Sequence, residues 1–423
     1  MSENPSDHSV KHGPLTGLRV LDLSRILAGP TATQLLGDMG ADVIKIERPG
    51  RGDDTRTWGP PFVQVDGKDS PESSYYLCAN RNKRSLAIDI ASEEGQTIIR
   101  DIAKKSDVLI ENFKVGDLKR RGLDYDTIKA LNPKIIYCSI SGFGQTGPYA
   151  PRAGYDFLIQ GMGGIMSLTG RCDEDGGVPS KVGVGIADVM CGMYASNAIL
   201  AALHAREKTG AGQHIDLALL DTQVAWLINQ GAAYLTTHKV PKRLGNGHPT
   251  IVPYETFPAA DKQFILAVGN DSQFAKFLDV AGRPDLMDDE RFATNAARVR
   301  NRDHVVPVIQ GLTRQKTADD WLAELAKVGV PCGPVNDLQD VFEDPQIVHR
   351  NMQIKMAHDT ADEGEVRLIG NPIKMSETPI TYRHPPPRVG EHSVDVLREL
   401  IDVDDETIDA LIERGTITDG RLP

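Results

Sequence analysis

The sequence predicts an α/β protein: a doubly wound, Rossmann-like parallel-sheet domain followed by a smaller α+β domain. Three observations carry this. Strand and helix patterns alternate over residues 18–140, a long apolar helix follows, and the composition shifts near Thr236. At 423 residues the chain is also too long for one compact core.

Residues 1–13 read as a disordered leader, without an apolar core or an Arg-rich amphipathic pattern. Residues 18–23 (LRVLDL) then read as a buried strand, 29–39 as a helix opening at Pro30, and 42–47 (DVIKIE) as a second strand. Such a βαβ unit implies a right-handed crossover and parallel pairing. A loop rich in Gly, Asp, Arg and Pro is expected over 48–70. The alternation resumes with strand 85–90, helix 93–105, strand 108–111, helix 125–131 and strand 135–140. The dinucleotide fingerprint GxGxxG is missing after the first strand, where the chain reads SRILAGPTATQ. That disfavours a nicotinamide dehydrogenase.

The Gly-rich segments 142–147 (GFGQTG) and 161–170 (GMGGIMSLTG) are either tight turns or places where backbone approaches a ligand. Next comes VGVGIADVMCGMYASNAILAALHAREKTG. Met190, Met193, Tyr194, Ala198, Ala201 and Ala205 recur at three- and four-residue steps, which predicts a helix over 188–208, buried on most sides. It would be roughly 30 Å long. Asp188 falls at its N-terminus, where free N–H groups favour an ionised carboxylate. An N-cap and an exposed carboxylate nucleophile both fit that position, and spacing does not choose between them.

A strand over 214–219 and a helix over 221–229 complete a large domain spanning 14–230. A basic linker is expected over 231–254, then a small domain over 255–345. Its elements are strand 264–268 and helices 272–280, 302–312 and 318–328. Residues 346–423 would return to the large domain, with a strand pair over 348–356 and 365–375 and a helical tail over 394–413.

Lys+Arg is 47 and Asp+Glu is 59, a net charge of −12, which argues against nucleic acid or an anionic membrane as partner. The five cysteines are scattered without a CxxC pair, as for free thiols in a reducing compartment, so the cytoplasm is expected. No apolar run approaches about 20 residues, so no membrane span is expected.

Three stretches together resemble the class III CoA-transferase family: LRVLDLSRILAGPTATQLLGDMGADVIKIERPGRGDDTR, VLIENFKVGDLKRRGLDYDTIKALNPKIIYCSISGFGQTGPY and GVGIADVMCGMYASNAILAALHAREKTGAGQHID. GVPCGPVNDLQDVFEDPQ and PPPRVGEHS extend the likeness to about residue 415. The resemblance implies that Asp188 is a catalytic nucleophile that passes through aspartyl-anhydride and aspartyl-CoA thioester intermediates. It implies CoA as a substrate rather than a tightly bound cofactor, no metal, and an interlocked homodimer. CoA contacts carry over onto Leu27, Ala28, Arg48, Ile88, Asn112, Phe113 and Arg120. Ser141 stands where formyl-CoA transferase has a lysine.

RAGYD at 152–156 and the segment 242–254 look most like family members that move CoA between succinyl-CoA and a dicarboxylate such as glutarate or itaconate. Arg152, Tyr155, Arg243 and His248 are the acceptor-side candidates, a cation being needed for a desolvated distal carboxylate. The racemase branch carries G-H-D where this chain has Gly154, Tyr155 and Asp156, and a tyrosine makes a poor base at neutral pH. The GGGGQ loop of formyl-CoA:oxalate enzymes is missing. A non-catalytic CoA-binding protein is the alternative of another class.

Overall fold

The computed structural model describes residues 13–421, so the leader expected over 1–13 lies outside it apart from Gly13, which is buried. The chain forms two compact units. The first comprises the chain up to Ile165, Val182–Ala232 and the chain from Val348; the second comprises Met166–Lys181 and Ala233–Ile347. Residues 166–181, expected in the large domain, therefore cluster with the second unit.

The first unit opens with β1 (Arg19–Asp22), α1 (Ala28–Asp38) and β2 (Asp42–Glu47). The expected loop over 48–70 instead holds a 3-10 turn at Asp54–Thr57 and a hairpin, β3 (Phe62–Val65) and β4 (Lys68–Ser73). Then come α2 (Ser74–Leu77), β5 (Lys83–Ile88), α3 (Glu93–Lys104), β6 (Val108–Glu111), α4 (Tyr125–Leu131) and β7 (Ile136–Ser141). The Gly-rich segment 161–170 belongs largely to helices, α5 (Asp156–Met162) and α6 (Ile165–Leu168). The long helix is α7 (Ile186–Thr209), followed by β8 (Gln213–Ala218). In place of one helix over 221–229 there are two, α8 (Leu219–Ala225) and α9 (Ile228–Thr237), so the expected linker begins as helix.

Seven strands make the sheet, in the order β14-β5-β2-β1-β6-β7-β8. All neighbours pair in parallel except β14 (Ile417–Thr418), which runs antiparallel to β5. Successive strand residues feed opposite cores: Leu21, Ile44 and Leu109 enter one, while Val20, Val43 and Val108 enter the other. Burial on both faces is why these strands read as continuous apolar runs. The first core is closed by α3, α4 and two C-terminal helices, and the second by α1 and α7.

The apolar stripe expected on α7 is the wrong face. Its inward side is Ala187, Cys191, Ala195, Ile199, Ala202 and Leu203, whereas Met193 is 51% and Tyr194 39% exposed. Nearly every side of this helix is apolar, so periodicity could not choose; the small residues mark where α1 packs. A Cβ on Gly192 would stand 2.6 Å from the Ala28 carbonyl oxygen, so only glycine allows this approach. By length and composition α7 is also apolar enough to cross a membrane, contrary to expectation. Its inward face packs within the second core, as the core helix of a folded domain does.

The second unit carries an antiparallel sheet of β9 (Tyr254–Pro258), β10 (Gln263–Ala267) and β11 (Cys332–Pro334). Helices α10 (Asp271–Val280), α11 (Asn295–Arg300), α12 (Arg302–Thr313) and α13 (Ala318–Val328) surround an aromatic core that includes Phe257, Phe264, Phe274, Phe277 and Trp321. Short helices α14 (Leu338–Glu343) and α15 (Pro345–His349) lead to the hairpin β12 (Gln353–Ala357) and β13 (Glu365–Ile369), shorter than the strand pair expected. The expected tail helix is two, α16 (Ser393–Ile401) and α17 (Asp405–Glu413), broken where Asp402 takes φ +53°.

Candidate active site

Strand order reverses at β1, whose neighbours β2 and β6 lead away in opposite directions. A doubly wound sheet binds ligands beyond the carboxyl ends of such strands. Here an open cleft of about 230 Å³ lies there, lined by Arg25–Ala28, Asn112–Val115, Ser141–Gly142, Arg152–Tyr155 and Asp188.

The turn after β1 is strained and braced. Ile26 adopts φ +70°, an outlier for a β-branched residue, at a cost of order 1–3 kcal/mol. Asn112 holds the turn from both sides: its Oδ1 accepts from the Arg25 N–H (2.9 Å) and its Nδ2 donates to the Arg25 carbonyl (2.7 Å). Beneath it Lys45 donates to the Ser24 carbonyl (3.1 Å) and to Asp53 (2.8 Å), all fully buried. Asp22 accepts from the Ser24 N–H and the Thr33 hydroxyl. Leu27 and Ala28, at the start of α1, are thereby fixed in the cleft wall.

On the opposite wall the GFGQTG and RAGYD segments touch. A Cβ on Gly142 would lie 2.5 Å from the Gly154 Cα, so neither position admits a side chain. Arg152 rests over the rings of Tyr149 (4.7 Å) and Phe143 (5.3 Å) and makes no ion pair among the described residues.

Asp188 is only 8% exposed. It is not the N-cap: Gly185 is, and Asp188 sits within the first turn of α7. The cap role belongs to Asp156, whose Oδ1 accepts from the Ala187 N–H (2.8 Å) and the Asp188 N–H (3.3 Å). The expectation that the helix N-terminus keeps Asp188 ionised is overturned. Burial, and then the Asp156 carboxylate, push its carboxyl up to about 7.

Of the residues predicted from sequence, Leu27, Ala28, Asn112, Phe113, Ser141, Arg152, Tyr155 and Asp188 line one cleft. Arg48 and Ile88 line an adjoining pocket with Leu23, Arg25, Ile46, Ile90 and Phe113. Arg48 pairs with Asp54, its Nε buried and without a partner. Arg120 lines neither: it is exposed and paired with Asp117. Arg243 and His248 belong to the second unit. There Arg243 is engaged by Asp173 and the Gly177 carbonyl, and the His248 ring lies 5.2 Å from that of Tyr254. Both side chains thus have partners within that unit.

Sequence reasoning missed Arg25, Lys114 and Asp156. Arg25 pairs with Asp54 (3.0 Å) and lies over the Phe113 ring (5.2 Å), joining cleft and pocket. Asp156 lay inside a quoted motif, next to the tyrosine that drew attention. Among the described residues no group of three or more His, Cys, Asp or Glu could hold a metal ion. What the arrangement offers is a buried carboxylate in the lining of a cleft that Arg25 and Arg152 also line.

Residues 15–393 match the family described as CoA-transferase family III. The chain belongs to that family, and it is a class III CoA-transferase, with CoA as substrate and carrier. It is 48% identical to the succinate–glutarate CoA-transferase of Agrobacterium fabrum over 388 residues, covering 92% of this chain and 96% of that one. It is 42% identical over 404 residues to the human succinyl-CoA:glutarate CoA-transferase, covering 96% and 90%. The crystal structure of a CAIB/BAIF family protein from Brucella suis superposes with a TM-score of 0.82 at 50% identity, covering 92% of this chain and all of that one.

Proposed function

We propose that the protein moves CoA from succinyl-CoA to a dicarboxylate, glutarate first and itaconate as a second candidate, with Asp188 as nucleophile. The observation that carries this is that Asp188 is the one buried carboxylate among the described residues that line the switch-point cleft. Donor and acceptor rest on the likeness to the two glutarate transferases. The Asp188 carboxylate attacks the thioester carbonyl, forming an aspartyl–succinyl anhydride and expelling CoA thiolate. The thiolate attacks the aspartyl carbonyl, leaving aspartyl-CoA thioester and releasing succinate. Glutarate then attacks that thioester, and the returning thiolate takes the glutaryl carbonyl, giving glutaryl-CoA and restoring Asp188. Each exchange is split into two covalent steps.

Leu27, Ala28, Phe113 and Ser141 would line the pantetheine path, while Arg48 and Arg120 face phosphates and Ile88 the adenine end. Asn112 acts chiefly as a brace, since its amide is spent on Arg25. Arg152, unpaired and beside Tyr155, is the cation offered to the distal carboxylate of the acceptor. Exposed Phe157, Met193 and Tyr194 favour a second copy covering this face in a homodimer. Five free cysteines suit the cytoplasm.

Succinyl-CoA without acceptor should leave a CoA thioester on the Asp188 peptide, read by mass spectrometry after rapid digestion. With a panel of acids, new CoA esters should form with C5 dicarboxylates and not with oxalate or acetate. An adduct elsewhere removes Asp188 from the mechanism; transfer to oxalate removes the role given to Arg152.

A further inference from the structure

We propose that Asp156 is the positioning residue for the nucleophile: its carboxylate caps the helix that carries Asp188 and stands as a like charge beside it. This rests on the reading of Asp188 as nucleophile.

An N-cap side chain ordinarily satisfies the first N–H groups of a helix. Gly185, the N-cap of α7, has no side chain to do so. Asp156 arrives instead from the first turn of α5 and takes the N–H groups of Ala187 (2.8 Å) and Asp188 (3.3 Å) on one oxygen. Its second oxygen accepts from the amide of fully buried Gln160 (2.7 Å). The Gln160 carbonyl oxygen accepts in turn from the Val182 N–H (2.9 Å). One carboxylate and one amide thus pin both the nucleophile's backbone and the strand of chain entering its helix.

The same arrangement withdraws the helix N-terminus from Asp188. N–H groups that would stabilise a charge on Asp188 are bonded to another carboxylate, and no ion pair reaches Asp156 among the described residues. Around Asp188, α7 itself supplies Cys191, and α2 supplies Tyr75; burial and nearby acids push both up to about 12, so both are neutral at pH 7. Burial holds Cys138 of β7 protonated as well. In α1, Asp38 is bonded to Arg81, and Asp221 of α8 is exposed. In β8, Asp216 accepts from the Gln145 N–H, and the His214 ring bonds Ser139. Asp156 is therefore the charge that adds to burial in setting the resting state of the nucleophile. Below neutral pH it favours a protonated Asp188, which attacks no thioester.

Asp156→Asn removes the charge and keeps an oxygen for both N–H groups, but its Nδ2 faces the Gln160 Nε2 and gives up that one bond. The acid limb of the kcat/KM–pH profile should move down by about one pH unit, with the KM for succinyl-CoA little changed and the melting temperature lowered less than in Asp156→Ala. Asp156→Glu should restore the limb toward its original pH while lowering kcat, because the carboxylate reaches too far. Asp156→Ala should lower the melting temperature as well. A folded Asp156→Asn with an unmoved acid limb overturns the proposal. Asp188→Asn, assayed alongside, tells the two failures apart: if it stays active the nucleophile assignment is wrong, and if it is dead while the limb is unmoved only the role of Asp156 is.

Discussion

Two sets of carboxylates are buried under the same cleft, and they titrate in opposite directions. Burial pushes all of them up. For Asp22 and Asp53 the charges of the nearby lysines, together with hydrogen bonds from Ser24, Thr33 and Thr55, outweigh it, and Asp53 ends at about 2. Asp188 meets no cation, only Asp156, and ends at about 7. The first set holds a wall; the second is kept chargeable and unneutralised, which is what a carboxylate nucleophile needs. Charge partners, rather than depth of burial, separate the two sets; Glu111, buried at the end of β6 without a cation, is likewise pushed up to about 7.

Asp188→Asn tests the contrast most severely. Transfer should fall by at least about a thousandfold, since the covalent route is removed. Stability should move the other way. The folded-state pKa is raised, so folding favours the protonated form. The stability Asp188 contributes is complete below about pH 4 and is lost as pH rises toward 7. Above that the charged residue costs about 3–4 kcal/mol. The variant should therefore melt well above the parent at pH 8 and close to it only near pH 4. A gap that is equal at pH 8 and pH 4 would break the comparison.

Lys45→Met tests the other set. It strands Asp53 without its ammonium partner, and breaking a buried pair from one side costs about 3–5 kcal/mol. It also frees the Ser24 carbonyl, so the turn that bends Ile26 to φ +70° loses its floor. Denaturant unfolding should register the loss, and CoA affinity should fall with it. For Asp53 the sign is opposite to that of Asp188: its depressed pKa stabilises the fold above about pH 4, an advantage lost as pH falls toward 2. A variant as stable as the parent would make the pair dispensable.

The parts of this contrast differed in legibility. β2, α4 and α13 lie where periodicity places them, because each has one dominant pattern bounded by turn or cap residues. The cleft residues from 27 to 155 came from the family resemblance, and β–α alternation is the physical reason their loops fall on one sheet edge. The inward face of α7 was not, because a helix apolar all round carries no directional signal. The pairing of Asp156 with the α7 N-terminus was also hidden. It joins residues distant in sequence and depends on Gly185 having no side chain, which local propensity reads only as a loosened start.

The smallest effect expected is at Arg120, and it marks where the comparison ends. Lys45 is wholly buried and its position is dictated; the Arg120 side chain is 72% exposed and tied only to Asp117, three residues back. An exposed pair of this kind holds little energy, so Asp117 gives up the guanidinium readily when a phosphate competes. Arg120→Ala should weaken CoA binding by a few-fold, leave the melting temperature unchanged, and raise the KM for every acyl-CoA alike. The ranking of acceptor acids should stay as it is, because the acceptor pocket proposed around Arg152 and Tyr155 draws on a different wall. A weakening that disappears at high salt would identify the contact as a screened, exposed charge pairing. A reordered acceptor preference would instead carry Arg120 into the acyl site, and the exposed cation would no longer be peripheral to the chemistry at Asp188.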